Sequence, residues 1–273
     1  MSDAPPSEYA GNYPALRAEC RGAGVVLVTL DLPDRRNMMS TEMTASWGQV
    51  MDHLRTDPDV RCVVVTGAGS AFSSGGDLSW LASEPGATVN ELRSRMLAFY
   101  RTWLSVRALE IPTIAAVNGA AVGAGLALAL ACDLRYVAQD ARLGVPFTAL
   151  GLHPGMATTY LLPQAVGLAA ARELLLTGRF VTGAESVQLG LANASLPTEQ
   201  VLPHALAIAA QVAAKAPIAT RLTKAALAAG GHAGFHEALE WEALAQSVTL
   251  ATADLHEGIA AQRERRPPRF SGR

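Results

Sequence analysis

Two rhythms of apolar residues alternate along the first 200 positions of this chain, short β-branched runs and longer stretches at helical spacing. Val25–Leu30 (VVLVTL), residues 61–66 (RCVVVT) and Thr113–Val117 (TIAAV) have almost no polar interruption, so each predicts a strand buried on both faces. Residues 135–137 and 141–145 predict two shorter ones. Between them, residues 41–54 carry Met43, Trp47, Val50, Met51 and Leu54 near a 3.6-residue period, with Ser40 placed as an N-cap. Residues 89–109 repeat that spacing with Leu92, Met96, Phe99, Tyr100, Trp103, Leu104 and Val106. Residues 126–132 are Leu and Ala almost throughout, which predicts a helix buried on every side. The polar stretch 31–37 (DLPDRRN) reads as a turn, and 82–87 as a Pro- and Gly-containing interruption. After Val201 the strand signals stop. Residues 202–214, 217–229 and 235–251 predict three helices, broken at Lys215-Ala216-Pro217 and at 230–234.

Strand 113–117 enters its helix through Asn118-Gly119 and then Gly123 and Gly125. Glycine lets bare backbone approach a neighbour, and a helix that starts there aims unpaired N–H groups outward. Such a start suits developing negative charge, a phosphate or an enolate oxygen; a tight packing turn accounts for the same glycines equally well. A second turn of this kind lies upstream, where strand 61–66 leads to Gly75-Gly76-Asp77 ahead of Leu78 and Trp80-Leu81. Asp77 has the chemistry of an N-cap, and Gly76 is placed to leave its N–H free. Two strand-turn-helix units with one bare amide each are the makings of a two-donor oxyanion site.

Phe72-Ser73-Ser74-Gly75-Gly76-Asp77 and Asn118-Gly119 with Gly123-Ala124-Gly125 together resemble the paired signature of the crotonase (enoyl-CoA hydratase/isomerase) superfamily. The resemblance runs from about Val25 to Phe270, through Cys132-Asp133-Leu134-Arg135, Gly151-Leu152-His153-Pro154-Gly155, Leu176-Thr177-Gly178-Arg179, Gly190-Leu191-Ala192-Asn193, and Arg265-Arg266-Pro267. It implies an α/β fold, a crotonase-like spiral of ββα units occupying residues 1–200 with an acyl-CoA site, followed by a helical segment, 201–273, that packs a trimer or hexamer. Gly76 and Ala124 would supply the oxyanion amides. Arg36, Ser74, Gly75, Leu78, Tyr100, Gly123, Phe147 and Gly155 would border the ligand, with Arg36 toward the coenzyme A phosphates. Coenzyme A enters as part of the substrate; no other cofactor and no metal is expected.

A net charge of −2 gives no polyanion-binding surface, so nucleic acid is not an expected partner. Cys20, Cys62 and Cys132 are scattered and form no disulfide or CxxC pattern, as in a reducing compartment. Residues 1–14 are acidic and proline-bearing with no apolar core, which predicts a loose tail rather than a signal peptide, and 126–132 is too short for a bilayer span. A cytoplasmic protein with no membrane association is expected.

Adding water to an enoyl thioester takes a base for the water and an acid for the α-carbon, normally two carboxylates. By the resemblance those carboxylates fall at Ala127 and Phe147, and a third used by some members falls at Gly155. All three places are apolar or bare. His153, in the loop that would carry the acid, is a substitute base or a loop-stabilising residue bonded to a nearby carbonyl. Tyr160, Glu84 and Glu91 are further substitutes, Asp77 reads as a cap, and His232, His236, Glu240 and Glu242 lie in the tail. Three functions compete: an acyl-CoA enzyme, a lyase of hydratase type or else an isomerase, decarboxylase or thioester hydrolase; an acyl-CoA binder without turnover; and a dinucleotide or phosphate binder on Gly119, Gly123 and Gly125. The third lacks a GxGxxG phase and a following Lys-Ser/Thr.

Overall fold

The computed structural model describes residues 7–9, 11–81, 86–228, 231, 232 and 234–273. Eleven strands appear among them: β1 Ser7–Glu8, β2 Leu16–Cys20, β3 Val25–Leu30, β4 Cys62–Gly67, β5 Ala71–Ser73, β6 Thr113–Val117, β7 Ala120–Val122, β8 Leu134–Ala138, β9 Arg142–Gly144, β10 Val181–Thr182 and β11 Ala194–Leu196. The helices are α1 Thr41–Thr56, α2 Leu78–Leu81, α3 Val89–Trp103, α4 Ala124–Ala131, α5 Thr158–Thr177, α6 Gly183–Gln188, α7 Thr198–Ala213, α8 Pro217–Leu227, α9 Phe235–Leu250 and α10 Ala253–Glu264.

Seven strands form one sheet in the order β1-β2-β3-β4-β6-β8-β11, and four form a second in the order β10-β9-β7-β5. From β3 to β11 the large sheet is parallel. Each unit gives one strand to each sheet and then a helix: β4-β5 before α2 and α3, β6-β7 before α4, β8-β9 before α5. This is the expected ββα spiral. β3, β4 and β6 are buried at every position, the mark of a parallel strand covered on both faces. On one side lies α7, which presents Val201, Ala205, Ala209 and Ala213 at four-residue spacing, small enough to bring the helix axis close to the sheet. Helix α4, with all eight residues buried, packs against β5 and β7 of the small sheet and against α5.

Ser40 caps α1 by accepting from Met43 N at 3.2 Å, and Met43, Trp47, Val50, Met51 and Leu54 are buried, so the methionines fill core rather than a groove. Helix α3 stops at Trp103 and tightens into a 3₁₀ turn over residues 104–108, shorter than the 89–109 helix the periodicity predicts. Cys62 and Cys132 are buried, and burial pushes both thiols up to about 12, so neither is a nucleophile near neutrality.

Two expectations need correction. Part of the predicted loose tail is tied down from Ser7 onward: β1 pairs antiparallel with β2, the Tyr9 hydroxyl donates to Asp57 at 3.0 Å, and Tyr13 meets His53 Nδ1 at 2.7 Å. Two buried phenols anchor what composition alone presents as polar chain. The helical segment also divides differently, because α7 is part of the core and only α8 to α10 stand apart. Lys224 of α8 fastens them, donating to Ile111 O and pairing with Asp133, both at 2.8 Å.

The chain end folds back over α10, a helix the sequence reading omits. Asp254 accepts from Ser271 N and Gly272 N, and Arg61 donates to Phe270 O at 2.9 Å. Arg266 grips Glu257, whose carboxylate also takes the Arg269 N–H. Those donors, Arg266 first, hold the Glu257 carboxyl down at about 2 against an ordinary 4.5. A carboxyl depressed on folding contributes stability that is present above pH 4.5 and lost as pH falls toward 2. The protection factor of the Arg269 amide, its exchange relative to the intrinsic rate at each pH, is therefore expected to fall across that window, and Glu257→Gln is expected to give a low protection factor that does not change with pH there. Equal protection of Arg269 in both proteins would show that the pair does not hold the strap.

Candidate active site

Two loops meet where β5 and β7 end. In the first, Ser73 Oγ donates to Asn37 O at 2.8 Å and accepts the Gly75 N–H at 3.1 Å, while Gly75 O accepts from Met39 N at 2.8 Å. Gly75 takes φ +91, and a Cβ there would lie 2.5 Å from Val122 O and 3.1 Å from Ala124 N, so the turns touch backbone to backbone. In the second, Gly123 sits at φ 56 with its N–H bonded to Gly144 O at 2.8 Å. The amides of Gly75 and Gly123 are thus consumed. Ala124 N opens α4 and has no intrahelical acceptor, and outside helix and strand ladders neither it nor Gly76 N finds an acceptor among the described residues. These are the two amides the sequence points to.

Gly119 and Gly125 serve the blander purpose. A Cβ at Gly119 would overlap Ser70 O and one at Gly125 would overlap Ser73 O, so both exist to let the second turn lie against β5. Asp77 is the helix cap expected of it, accepting from Ser79 N at 2.9 Å and from Ser79 Oγ, and those bonds, Ser79 Oγ first, hold its carboxyl below the ordinary range.

The free amides face a cavity of about 230 Å³, lined by Ser74, Gly76, Leu78, Tyr100, Gly123, Ala124, Phe147 and His153 among the expected residues. Trp80, Met96, Phe99, Val122, Pro146, Leu150, Leu152 and Met156 complete it and were not singled out as lining. A signal for two of them, Met96 and Phe99, existed in the helical face they share with Tyr100. Met96, Phe99 and Tyr100 stand at i, i+3 and i+4 of α3, one helical face that meets the cavity while Trp103 behind it is fully buried. Trp80 packs against Phe99 with ring centroids 5.3 Å apart and the planes tilted by 37°, and the Arg95 guanidinium lies 4.5 Å from the indole centroid on Trp80.

The places of the absent carboxylates are each filled differently. Ala127 is wholly buried in α4 and does not line the cavity. Phe147 lines it, its ring tip 3.7 Å from where a Gly123 Cβ would stand. Gly155 is occupied from across the site: a Cβ there would overlap the Tyr100 hydroxyl. Tyr100 is half-buried, and burial pushes its phenol above its ordinary value, offset in part by the Met156 N–H that donates to its oxygen.

His153 is exposed at the rim with Nδ1 2.9 Å from Pro154 O. A carbonyl only accepts, so Nδ1 carries the hydrogen, which in the neutral ring leaves the lone pair on Nε2. The loop-bonding role and the base role are therefore compatible in one side chain. Other substitutes fall away. Glu91 is exposed and closes a capping box with Thr88, whose hydroxyl lowers its carboxyl; Tyr160 is exposed and outside the cavity; Glu84 lies outside the described residues. His232, His236, Glu240 and Glu242 do not line the cavity. Arg36, left-handed at φ 52 and exposed, touches the first turn through its carbonyl, which accepts Ser74 N at 2.9 Å, and its side chain does not line the cavity.

A family model described as enoyl-CoA hydratase/isomerase matches residues 20–273. A Thermus thermophilus protein provisionally named an enoyl-CoA hydratase is 44% identical over 248 residues, 90% of this chain and 97% of its own length. The 2,3-dehydroadipyl-CoA hydratase of Escherichia coli is 34% identical over 250 residues, covering 91% of this chain and 96% of its own. Among solved structures, an enoyl-CoA hydratase from Bacillus anthracis superposes with a TM-score of 0.89 at 32% identity, covering 95% of this chain and all of that one. Paired glycine turns with two unclaimed amides, the ββα spiral and a full-length match converge, and the chain belongs to the enoyl-CoA hydratase/isomerase family, the crotonase superfamily.

Proposed function

We propose that the protein adds water to the 2,3-double bond of an enoyl-CoA thioester, with the thioester oxygen held between Gly76 N and Ala124 N. The observation that carries this is the pair of unclaimed amides at the mouth of an apolar cavity. As water attacks the β-carbon, electrons move to the thioester oxygen, where two fixed N–H dipoles meet the charge without reorganising. Nε2 of His153 takes the proton from the water. Arg36, outside the cavity and beside the first turn, suits the phosphates of coenzyme A, which remains part of the substrate and stands in for any separate cofactor.

The walls favour an apolar acyl chain. Among the described lining residues there is no Lys or Arg, so the free carboxylate of a dehydroadipyl group, substrate of the E. coli relative, would find no counter-charge here. A second reading, an acyl-CoA binder without turnover, draws on one observation: no carboxylate lines the cavity among the described residues.

Exposed apolar residues on α8 and α9, among them Leu227 at 70%, Phe235 at 84% and Leu244 at 63%, support assembly of copies through these helices, into the trimer or hexamer expected of this segment.

A panel of 2-enoyl-CoA esters followed by loss of thioester ultraviolet absorbance, with calorimetric binding on the same samples, decides between turnover and binding. The wild type is expected to bleach the absorbance, and His153→Ala to slow it by about 10²–10⁴-fold with affinity retained. Tight binding with no bleaching would overturn the hydratase reading in favour of the binder.

A further inference from the structure

We propose that Tyr100 is the acid that protonates the substrate α-carbon, and that Gly155 is glycine so that the phenol can occupy its place. The inference rests on the hydratase reading of the same site. Tyr100 reaches the cavity from α3, fifty-five positions before the loop it meets, and any side chain at Gly155 would collide with its hydroxyl. The Met156 backbone N–H favours the ionised phenol, and no hydrogen bond from the Tyr100 O–H to an acceptor is found among the described residues. A donor on a cavity wall with no protein acceptor is available to a ligand.

The backbone supports this placement at a cost. Met156 and Ala157 are consecutive non-glycine residues at φ 55 and 53, and left-handed residues of that kind are strained and cluster where geometry serves function. Their turn directs the Met156 N–H at the phenol, and Gly155 O is tied by Thr158 Oγ at 2.8 Å. Tyr100 and His153 line one cavity with Gly76 and Ala124, so acid, base and oxyanion donors share a site in which no carboxylate stands among the described lining residues.

The step balances. Water's oxygen bonds to the β-carbon and one of its protons goes to His153 Nε2, leaving an enolate. The enolate electron pair then forms a C–H bond at the α-carbon with the Tyr100 proton, and the thioester C=O returns. The tyrosinate left behind is held by the Met156 N–H and regains a proton from the His153 imidazolium through solvent. One water is consumed and nothing is oxidised or reduced.

Tyr100→Phe keeps the ring and removes the acid. Its turnover number on a short 2-enoyl-CoA is expected to fall about 10²-fold or more, with calorimetric affinity for butyryl-CoA and Tm close to wild type. In D2O the wild-type product is expected to carry deuterium on one face of the α-carbon, and the residual Tyr100→Phe product on both, because solvent replaces the positioned donor. Gly155→Ala, which evicts the phenol but leaves it in the chain, is expected to reproduce both effects and serves if Tyr100→Phe folds poorly. Unchanged turnover and unchanged facial labelling in folded Tyr100→Phe would overturn the assignment and leave the hydratase reading standing. A wild type that binds the ester and never bleaches it would overturn both.

Discussion

Gly75→Ala is expected to lower enoyl-CoA turnover by about 10²–10³-fold, the loss that follows when one oxyanion donor is displaced. The new Cβ would stand 2.5 Å from Val122 O and 3.1 Å from Ala124 N, both backbone, and Gly75 holds φ +91, which alanine tolerates poorly. Neither carbonyl nor amide can swing aside as a side chain could, so the two turns must separate. Separation moves Gly76 N and Ala124 N relative to each other, and a site that stabilises charge by fixed geometry loses its function before its fold. Butyryl-CoA affinity, set mainly by the cavity walls, is expected to fall far less than turnover. Gly76→Ala is the matching fold control: nothing lies within 4 Å of its Cβ, and Tm is expected to stay at the wild-type value. Turnover in Gly75→Ala equal to wild type would show that contact between the turns does not set the amide pair.

Local chemistry carried most of what the sequence revealed. β3 and β6 match their predicted limits because unbroken β-branched runs between turn residues have few other solutions. Ser40 and Asp77 were legible as caps because a cap bonds to amides two or three positions away. Of the small sheet only β9 was legible, inside the strand read at 141–145. That sheet's strands span two or three residues, too few to establish a period, so β7 vanished into what reads as one glycine turn from 118 to 125. Distance along the chain hid the rest. The oxyanion turns were visible because each is a compact glycine pattern, whereas Tyr100 gains its meaning only from Gly155, and the aromatic wall only from the packing of α3 across α2.

Asn37 is the plainest case of a residue whose importance lies in remote partners. Within a polar stretch that reads as a surface turn, it is fully buried. Its carboxamide oxygen accepts Leu32 N at 2.9 Å, and its nitrogen donates to Ala68 O and Ala71 O, both at 2.8 Å. Its φ of 52 is left-handed, which asparagine tolerates better than most residues. Asn37→Leu would keep the volume, take the Asn37 partner from three backbone groups, Ala71 O buried and Leu32 N and Ala68 O part-buried, and add strain at the same residue. With about 1–3 kcal/mol for each buried group left unpaired, some of it relieved by water, the expected loss is about 3–5 kcal/mol. That corresponds to a fall in Tm on the order of 10 °C for a chain of this size. Activity should fall as well, below the melting range, because Asn37 O holds Ser73 Oγ, and Ser73 Oγ in turn consumes the Gly75 N–H that would otherwise compete beside Gly76. A melting temperature within a degree or two of wild type would mean that water or a shifted loop satisfies those groups. The oxyanion turn would then be held by β5 and its glycine contacts alone.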